Sequence, residues 1–285
     1  MRKRIARLYF PATVPKRRHA SLWMRLLGYG DVPLLPATRG ALKVARFAFP
    51  AAVPAAAGKK ILFFSDLHYT AAASGLADEL VEKVKELSPD LLLCGGDLTV
   101  GAAEIDELKP LLKRLSACVG CCITIPGNWE RGKSWLPQSF WHDFFAECNW
   151  HYLCNESLSP CDWCWVYGSD DNALGAPEIL EPFPEDREKI LLVHRPDTVV
   201  FLDWRRELEG CDLALCGHTH GGQIRLPLVG SVTFPSHYRR KFDCGLFGRD
   251  KKKLKMVVTA GVNHASFPLR LNCRREIVLV EFEQH

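Results

Sequence analysis

From residue 61 onward the chain repeats one unit: a short apolar run, an abrupt polar or glycine-rich stop, then a helical pattern. ILFFSDLHYT is apolar until Ser65 and Asp66, and LADELVEKVKEL, residues 76–87, follows with its apolar residues at helical spacing and Pro89 behind it. LLLCGGDLTV, EIDELKPLLKRL and CCITIPGNWE continue the alternation, and KILLVHRPD and DLALCGHTHGG are further apolar runs that each break at a histidine. Strands that are apolar on both faces need cover on both sides, which predicts an α/β domain with a layered sheet. Near the end, LKMVVTAGV and REIVLVEFE alternate in the manner of antiparallel or edge strands.

With 285 residues, 47% of them hydrophobic, the chain can bury one large core. Its charge is uneven. Residues 1–60 hold 13 Lys or Arg and one acidic residue, Asp31, ahead of a mildly acidic remainder. The expected division is a basic, amphipathic arm and linker over residues 1–60, ending in the Ala/Pro stretch FPAAVPAAAGKK, and a folded domain over 61–285. The charge-free stretch Phe47 to Gly58 is broken by Pro50 and Pro54 and is too short to span a bilayer, and Arg4, Arg7, Lys16, Arg17 and Arg18 interrupt any secretory apolar region. A cytoplasmic protein is expected. There the 12 cysteines read as buried thiols, and the Cys118–Cys121 and Cys161–Cys164 spacings as parts of strands rather than a zinc site.

The polar residues at the strand ends carry the chemistry. They are Asp66 and His68, Asp97, Asn128, His194, His218 and His220. All fall beyond the carboxyl ends of predicted strands, where layered α/β proteins present ligands. Two Asp, one Asn and four His form a mixed oxygen and nitrogen set suited to Mn, Fe, Zn or Co. Seven donors exceed one tetrahedral site and suit two divalent ions sharing a carboxylate. Any one of these residues alone would more simply be hydrogen-bonded structure; it is their recurrence that points to metal.

DLH, GGD, GNWE, the isolated His of VHRPD and GHTH together resemble, in order, the motifs of the calcineurin-like metallophosphoesterases, and YGSDD, GHTHGGQIRLP and AGVNHASFPLRLNCRREIVLVEF are similar to a bacterial branch of that superfamily. The resemblance covers residues 61–283 and leaves the arm out. It implies a four-layer αββα sandwich, two mixed β-sheets flanked by helices. It further implies a first metal on Asp66, His68 and His220, a second on Asn128, His194 and His218, and Asp97 as the bridge. Two cations roughly 3.5–4 Å apart activate a water and clamp phosphoryl oxygens during in-line attack. Manganese is the expected ion, with Fe, Zn or Co as alternatives.

Trp129 departs from the family pattern, which places His there. An indole donates one N–H and cannot serve as a general acid. A substrate whose leaving group is already a weak base, such as a phosphate released from a pyrophosphate, has no need of that acid. Arg131 and Arg195, beside ligand motifs, are candidates to bind phosphoryl oxygens in its place. The superfamily includes UDP-2,3-diacylglucosamine pyrophosphatases of lipid A synthesis, in which that His is also replaced. Such an enzyme sits at the cytoplasmic face of the inner membrane, and residues 1–50 mix Tyr9, Phe10, Trp23 and Leu26 with Lys16, Arg17, Arg18 and Arg25 as an anionic membrane surface would require. GALKVARFAF, residues 40–49, repeats that mixture. The alternatives are a phosphodiesterase or nuclease whose arm binds nucleic acid, and a metal-binding scaffold without turnover.

Overall fold

Alternate residues of a strand face opposite ways, and in strand β2 (Lys60–Phe64) this separates two cores. Leu62 and Phe64 pack with the helices, whereas Ile61 and Phe63 pack against a second sheet. The computed structural model describes residues 41–284 other than 71–72, 102–103, 227, 234, 249–253 and 266.

Strands β1 (Lys43–Pro50), β2, β3 (Leu91–Cys94), β4 (Cys122–Thr124), β5 (His151–Tyr152) and β14 (Glu276–Glu283) form one six-stranded mixed sheet in the order β1-β14-β2-β3-β4-β5. The second has the order β12-β13-β9-β8-β7-β6, built from β6 (Glu156–Leu158), β7 (Cys164–Gly168), β8 (Glu188–Val193), β9 (Leu213–Cys216), β12 (Gly245–Gly248) and β13 (Lys255–Val258). Between them lies a core to which Ile61, Phe63 and Leu93 contribute from the first sheet, and Val166, Ile190 and Leu215 from the second.

The outer face of the first sheet is covered by α1 (Ser74–Leu87), α2 (Glu104–Ser116) and α4 (Gln138–Ala146). Helix α1 buries Leu76, Leu80, Val84 and Leu87 along one stripe, and stops where Ser88 turns left-handed (φ 45°) ahead of Pro89. In α2 the first turn carries Glu104, Asp106 and Glu107 and the last turn Lys113 and Arg114, which complements the helix dipole at both ends. Helix α5 (Pro196–Trp204) packs Val199 and Leu202 on the outer face of the second sheet. The layers are therefore helix, sheet, sheet, helix, as expected.

Two local expectations change. β14 is antiparallel to β2 as its alternation suggested, but it is interior, because β1 pairs parallel with it on the other side. The stretch 40–49, expected to repeat the lipid-facing mixture, runs into β1, whose register from Lys43 opposite Glu276 to Pro50 opposite Glu283 makes it a sheet edge. Its alternation of basic and apolar residues is that of an edge strand with one half-covered face, Lys43 bonding Glu276 and Arg46 pairing with Glu281. Tyr9 through Arg25 and the rest of the arm to residue 40 lie outside the described residues. All 12 cysteines are free. No helix among the described residues is long and apolar enough to cross a membrane.

Candidate metal centre

The parallel strands of each sheet deliver their carboxyl ends to one place. β2 is followed by Asp66 and His68, β3 by Asp97, and β4 by Asn128, which opens the short helix α3 (Asn128–Gly132). From the second sheet β8 is followed by His194, and β9 by His218 and His220. The Asp66 carboxylate accepts the backbone N–H of His218 (2.9 Å), and His194 Nδ1 lies 2.7 Å from the carbonyl of Gly95. These contacts tie the two sheets together at the site.

The structure brings all seven residues together as two adjoining groups. In one, ligand atoms of Asp66, His68 and His220 lie within 4.8 Å of one another; in the other, those of Asp97, His194 and His218 do, and both groups are buried. Asn128 joins the second through Oδ1, 3.0 Å from His194 Nε2. Asp97 Oδ2 stands 3.3 Å from His194 Nε2 and 3.8 Å from His68 Nε2, facing both groups.

The protons show what this donor set lacks. The Gly95 carbonyl can only accept, so His194 Nδ1 carries a proton, and Nε2 is the nitrogen that a cation would take. Nε2 faces the Asn128 oxygen at 3.0 Å, Asp97 Oδ2 at 3.3 Å and His218 Nδ1 at 3.1 Å. His220 Nδ1 is likewise committed to the carbonyl of Asn263 at 3.1 Å, leaving Nε2 3.4 Å from Asp66 and 3.3 Å from His68 Nε2. His68 Nδ1 is buried with no hydrogen-bond partner among the described residues. Acceptors crowd inward with too few hydrogens between them, and a cation in each group fits that arrangement.

Electrostatics agrees. Burial holds His220 down at about 3, and burial lowers His68 and, with Arg195 nearby, His218, so these rings are neutral as ligands must be. His194 is the exception. Burial opposes its charge, but the Asp97 carboxylate outweighs burial and raises it, while Asp97 is itself lowered by His194 in spite of its own burial. A proton on His194 answers the local negative charge.

Backbone constraint runs through the site. Asp66, His68, Asp97, His218 and His220 all have positive φ, between 40° and 69°, a region uncommon for residues with a side chain and reached most readily by Asn, Asp and His. Glu130 steadies the Asp97 turn and ties it to the GNWE loop by accepting the N–H groups of Asp97, Leu98 and Gly127, each at 2.9 Å. A Cβ on Gly96 would collide with the backbone nitrogen of Gly127, so the GGD and GNWE loops touch backbone to backbone.

Trp129 sits at the rim, half-buried. Its backbone N–H donates to Asp97 Oδ1 (2.8 Å), and its ring meets His68 edge-on with centroids 5.6 Å apart. Both predicted arginines are held by aspartates of the YGSDD stretch. Arg131 donates from Nη2 to Asp170 Oδ2 (3.0 Å), with Nε 2.9 Å from Oδ1. Arg195 donates from Nε to Asp171 (2.6 Å) and from Nη1 to His218 Nε2 (2.9 Å).

Several contributors were not singled out by sequence reasoning. Glu130, Asp170 and Asp171 lie in quoted motifs but hold ligands and arginines rather than ions. Buried Arg270 donates to the carbonyls of Ala260 (2.7 Å) and Asn263, and Asn263 Nδ2 donates to the carbonyl of His68. Buried Lys133, one helical turn beyond Trp129, donates to the Trp129 carbonyl (3.1 Å) and Thr99 (3.3 Å); its place at i+4 was the available signal. His142, His151, His237 and His264 belong to neither candidate group.

A family model described as calcineurin-like phosphoesterase matches residues 59–222. Among curated relatives, "Phosphodiesterase YaeI" of Escherichia coli K12 is 29% identical, covering 79% of this chain and 83% of its own. "Uncharacterized metallophosphoesterase YkuE" of Bacillus subtilis 168 is 28% identical over 78% of each chain. Among solved structures, TT1561 of Thermus thermophilus is 14% identical with a TM-score of 0.44, covering 72% of this chain and 90% of that one.

Proposed function

The chain belongs to the calcineurin-like phosphoesterase family, and we propose that this metal-dependent phosphohydrolase splits the diphosphate of UDP-2,3-diacylglucosamine, giving 2,3-diacylglucosamine 1-phosphate and UMP. Trp129 carries the choice of substrate. Fixed to Asp97 through its backbone and laid edge-on against His68, it stands where the family's acid would stand and has no acidic proton to give. Leaving groups that must be protonated are disfavoured there, and a phosphate leaving from a diphosphate is not.

Asp66, His68 and His220 would hold one divalent ion, and Asn128, His194 and His218 the other, with Asp97 between them. Such ions supply Lewis acidity, easing deprotonation of the attacking water and neutralising phosphoryl charge. The protein's own cations complete the clamp. With His218 Nδ1 given to a cation, its Nε2 carries the ring proton and can no longer accept from Arg195; Nη1 is then left to donate to an anion while Asp171 still holds Nε. Arg131 keeps Nη1 beyond its pairing with Asp170.

The lipid part of such a substrate places the enzyme on the inner face of a membrane, and the basic residues of segment 1–40 suit that surface. The similarity to a chain named phosphodiesterase supports a second reading, a phosphodiesterase of another substrate. One experiment separates them: purified protein with Mn²⁺ and UDP-2,3-diacylglucosamine in mixed micelles, with UMP release followed beside Asp97→Ala. Release that vanishes in the variant is expected. No release alongside good turnover of an aryl phosphodiester would leave the family and sink the lipid substrate; inertness toward both, with metal bound, would make the chain a scaffold.

A further inference from the structure

We propose that the hairpin following the His220 turn, together with the basic turn packed beside it, is a docking surface for an anionic lipid bilayer. The hairpin pairs β10 (Arg225–Leu226) with β11 (Gly230–Ser231). Its tip is apolar and faces water: Leu228 is fully exposed, and Leu226, Val229 and Val232 are 42%, 48% and 39% exposed. Such a group on a globular surface marks a place that meets a partner.

The hairpin is anchored to the site. Val232 N donates to the carbonyl of Ile224 (3.0 Å), and Arg225 N to that of Leu271 (2.9 Å). Arg225 Nη1 donates to the carbonyl of Gly221 (3.0 Å), next to His220, and the Ser231 hydroxyl donates to Asp243 (2.6 Å). A Cβ on Gly222 would collide with that of Ser231, so the ligand-bearing turn and the hairpin are in close contact. The base of the hairpin thus adjoins the turn that carries His220.

Charge selects the occupant. Residues 224–248 include Arg225, Arg239, Arg240 and Lys241 but a single acidic residue, Asp243, which is buried against Ser231 and Arg225. Arg239, Arg240 and Lys241 are exposed on a 3-10 turn, Arg239–Phe242, and the Arg240 side chain passes beside Gly230. A second copy would set like charge against like. So would the chain's own residues 1–40, whose nine Lys or Arg face a single acid, Asp31. Nucleic acid would use the cations but not the aliphatic tip. An anionic bilayer uses both, headgroups pairing with the basic turn while the leucines and valines enter the acyl boundary. For its purpose this surface rests on the lipid-substrate reading above: docked here, a diphosphate can reach the site while its acyl chains stay in the membrane.

The test is co-sedimentation of the full chain with phosphatidylglycerol/phosphatidylcholine vesicles, comparing wild type with L228D/V229D. Both side chains are exposed, and aspartate tolerates the left-handed backbone found at Leu228 (φ 64°), so the fold should survive. Unchanged hydrolysis of a water-soluble aryl phosphodiester checks that. Partition onto the anionic vesicles is expected to fall about tenfold or more. Wild-type partition by the variant overturns the proposal, as does a variant whose only change is a lost dimer in sedimentation velocity or lost binding to duplex DNA. The substrate reading fails separately: without UMP release but with partition lost in the variant, the docking surface stands and the lipid substrate falls.

Discussion

Asp97 Oδ1 accepts the Trp129 N–H while Oδ2 faces His194 and His68, so its two oxygens serve different ends. Asp97→Ala removes the shared carboxylate and is expected to lower turnover by about a thousandfold, with metal content measured in the same preparation falling too. Trp129 makes a sharper prediction. Replacing it with His restores an imidazole on the same backbone, and should raise hydrolysis of alkyl phosphodiesters by roughly tens-fold while changing diphosphate turnover by only about two- to threefold. Equal gains on both substrates would mean that the indole does not set leaving-group preference. Asp171→Asn keeps the oxygen that accepts the N–H groups of Ala173 and Leu174 but weakens the hold on Arg195. A higher KM for the diphosphate at unchanged metal content is expected, roughly tenfold from one charge-assisted bond.

At the scale of elements, ligands sit on turns rather than in strands, and those turns are tight. Gly96, at φ 85°, has no room for a side chain against the Gly127 backbone. Gly96→Ala should therefore cost about 3 kcal/mol in denaturant unfolding and displace Asp97 along with the loop. The first strand bears on how the arm can be tested. β1 protects one whole side of β14, so a chain starting at residue 41 keeps the sheet, whereas one starting at 51 bares the β14 edge. The shorter chain is expected to melt about 10 °C or more below the longer one. Vesicle binding by the arm is best tested with the cut at residue 40, where folding and docking are not lost together.

For the whole molecule, the site exists only because two sheets meet at their strand ends, and this couples metal, pH and stability. His220, His68 and His218 are lowered by burial, so below pH 6.5 the unfolded chain binds protons that the folded one refuses. Metal-free protein should lose stability as pH falls from 6.5 toward 3, the value to which His220 is held. His194 works the other way. Its pKa is raised by Asp97, so its contribution is complete below 6.5 and fades only at higher pH. A cation must displace that proton at neutral pH, so metal affinity should keep climbing above pH 6.5, by about tenfold per unit, in chelator competition. A plateau from pH 6.5 upward would show that His194 is already neutral.

Much of this was legible in the linear chain. Apolar runs of strand length, each ended by Asp, Asn or His and followed by a helical stripe, determine layers and strand ends, because side-chain periodicity is a local property. The seven donors could be picked out for the same reason. What the chain could not show is pairing across long separations: that Asp97 faces His68 and His194 together, that Asp170 and Asp171 take hold of Arg131 and Arg195, and that β1 belongs to the sheet rather than to the arm. Those contacts join residues from 24 to more than 200 positions apart. The energy that selects them comes from burying two sheet faces against each other, which no local pattern encodes. The left-handed turns at Asp66, His68, Asp97, His218 and His220 belong to the same class: Asp and His reach positive φ more readily than most residues, but only the packed structure around them selects it.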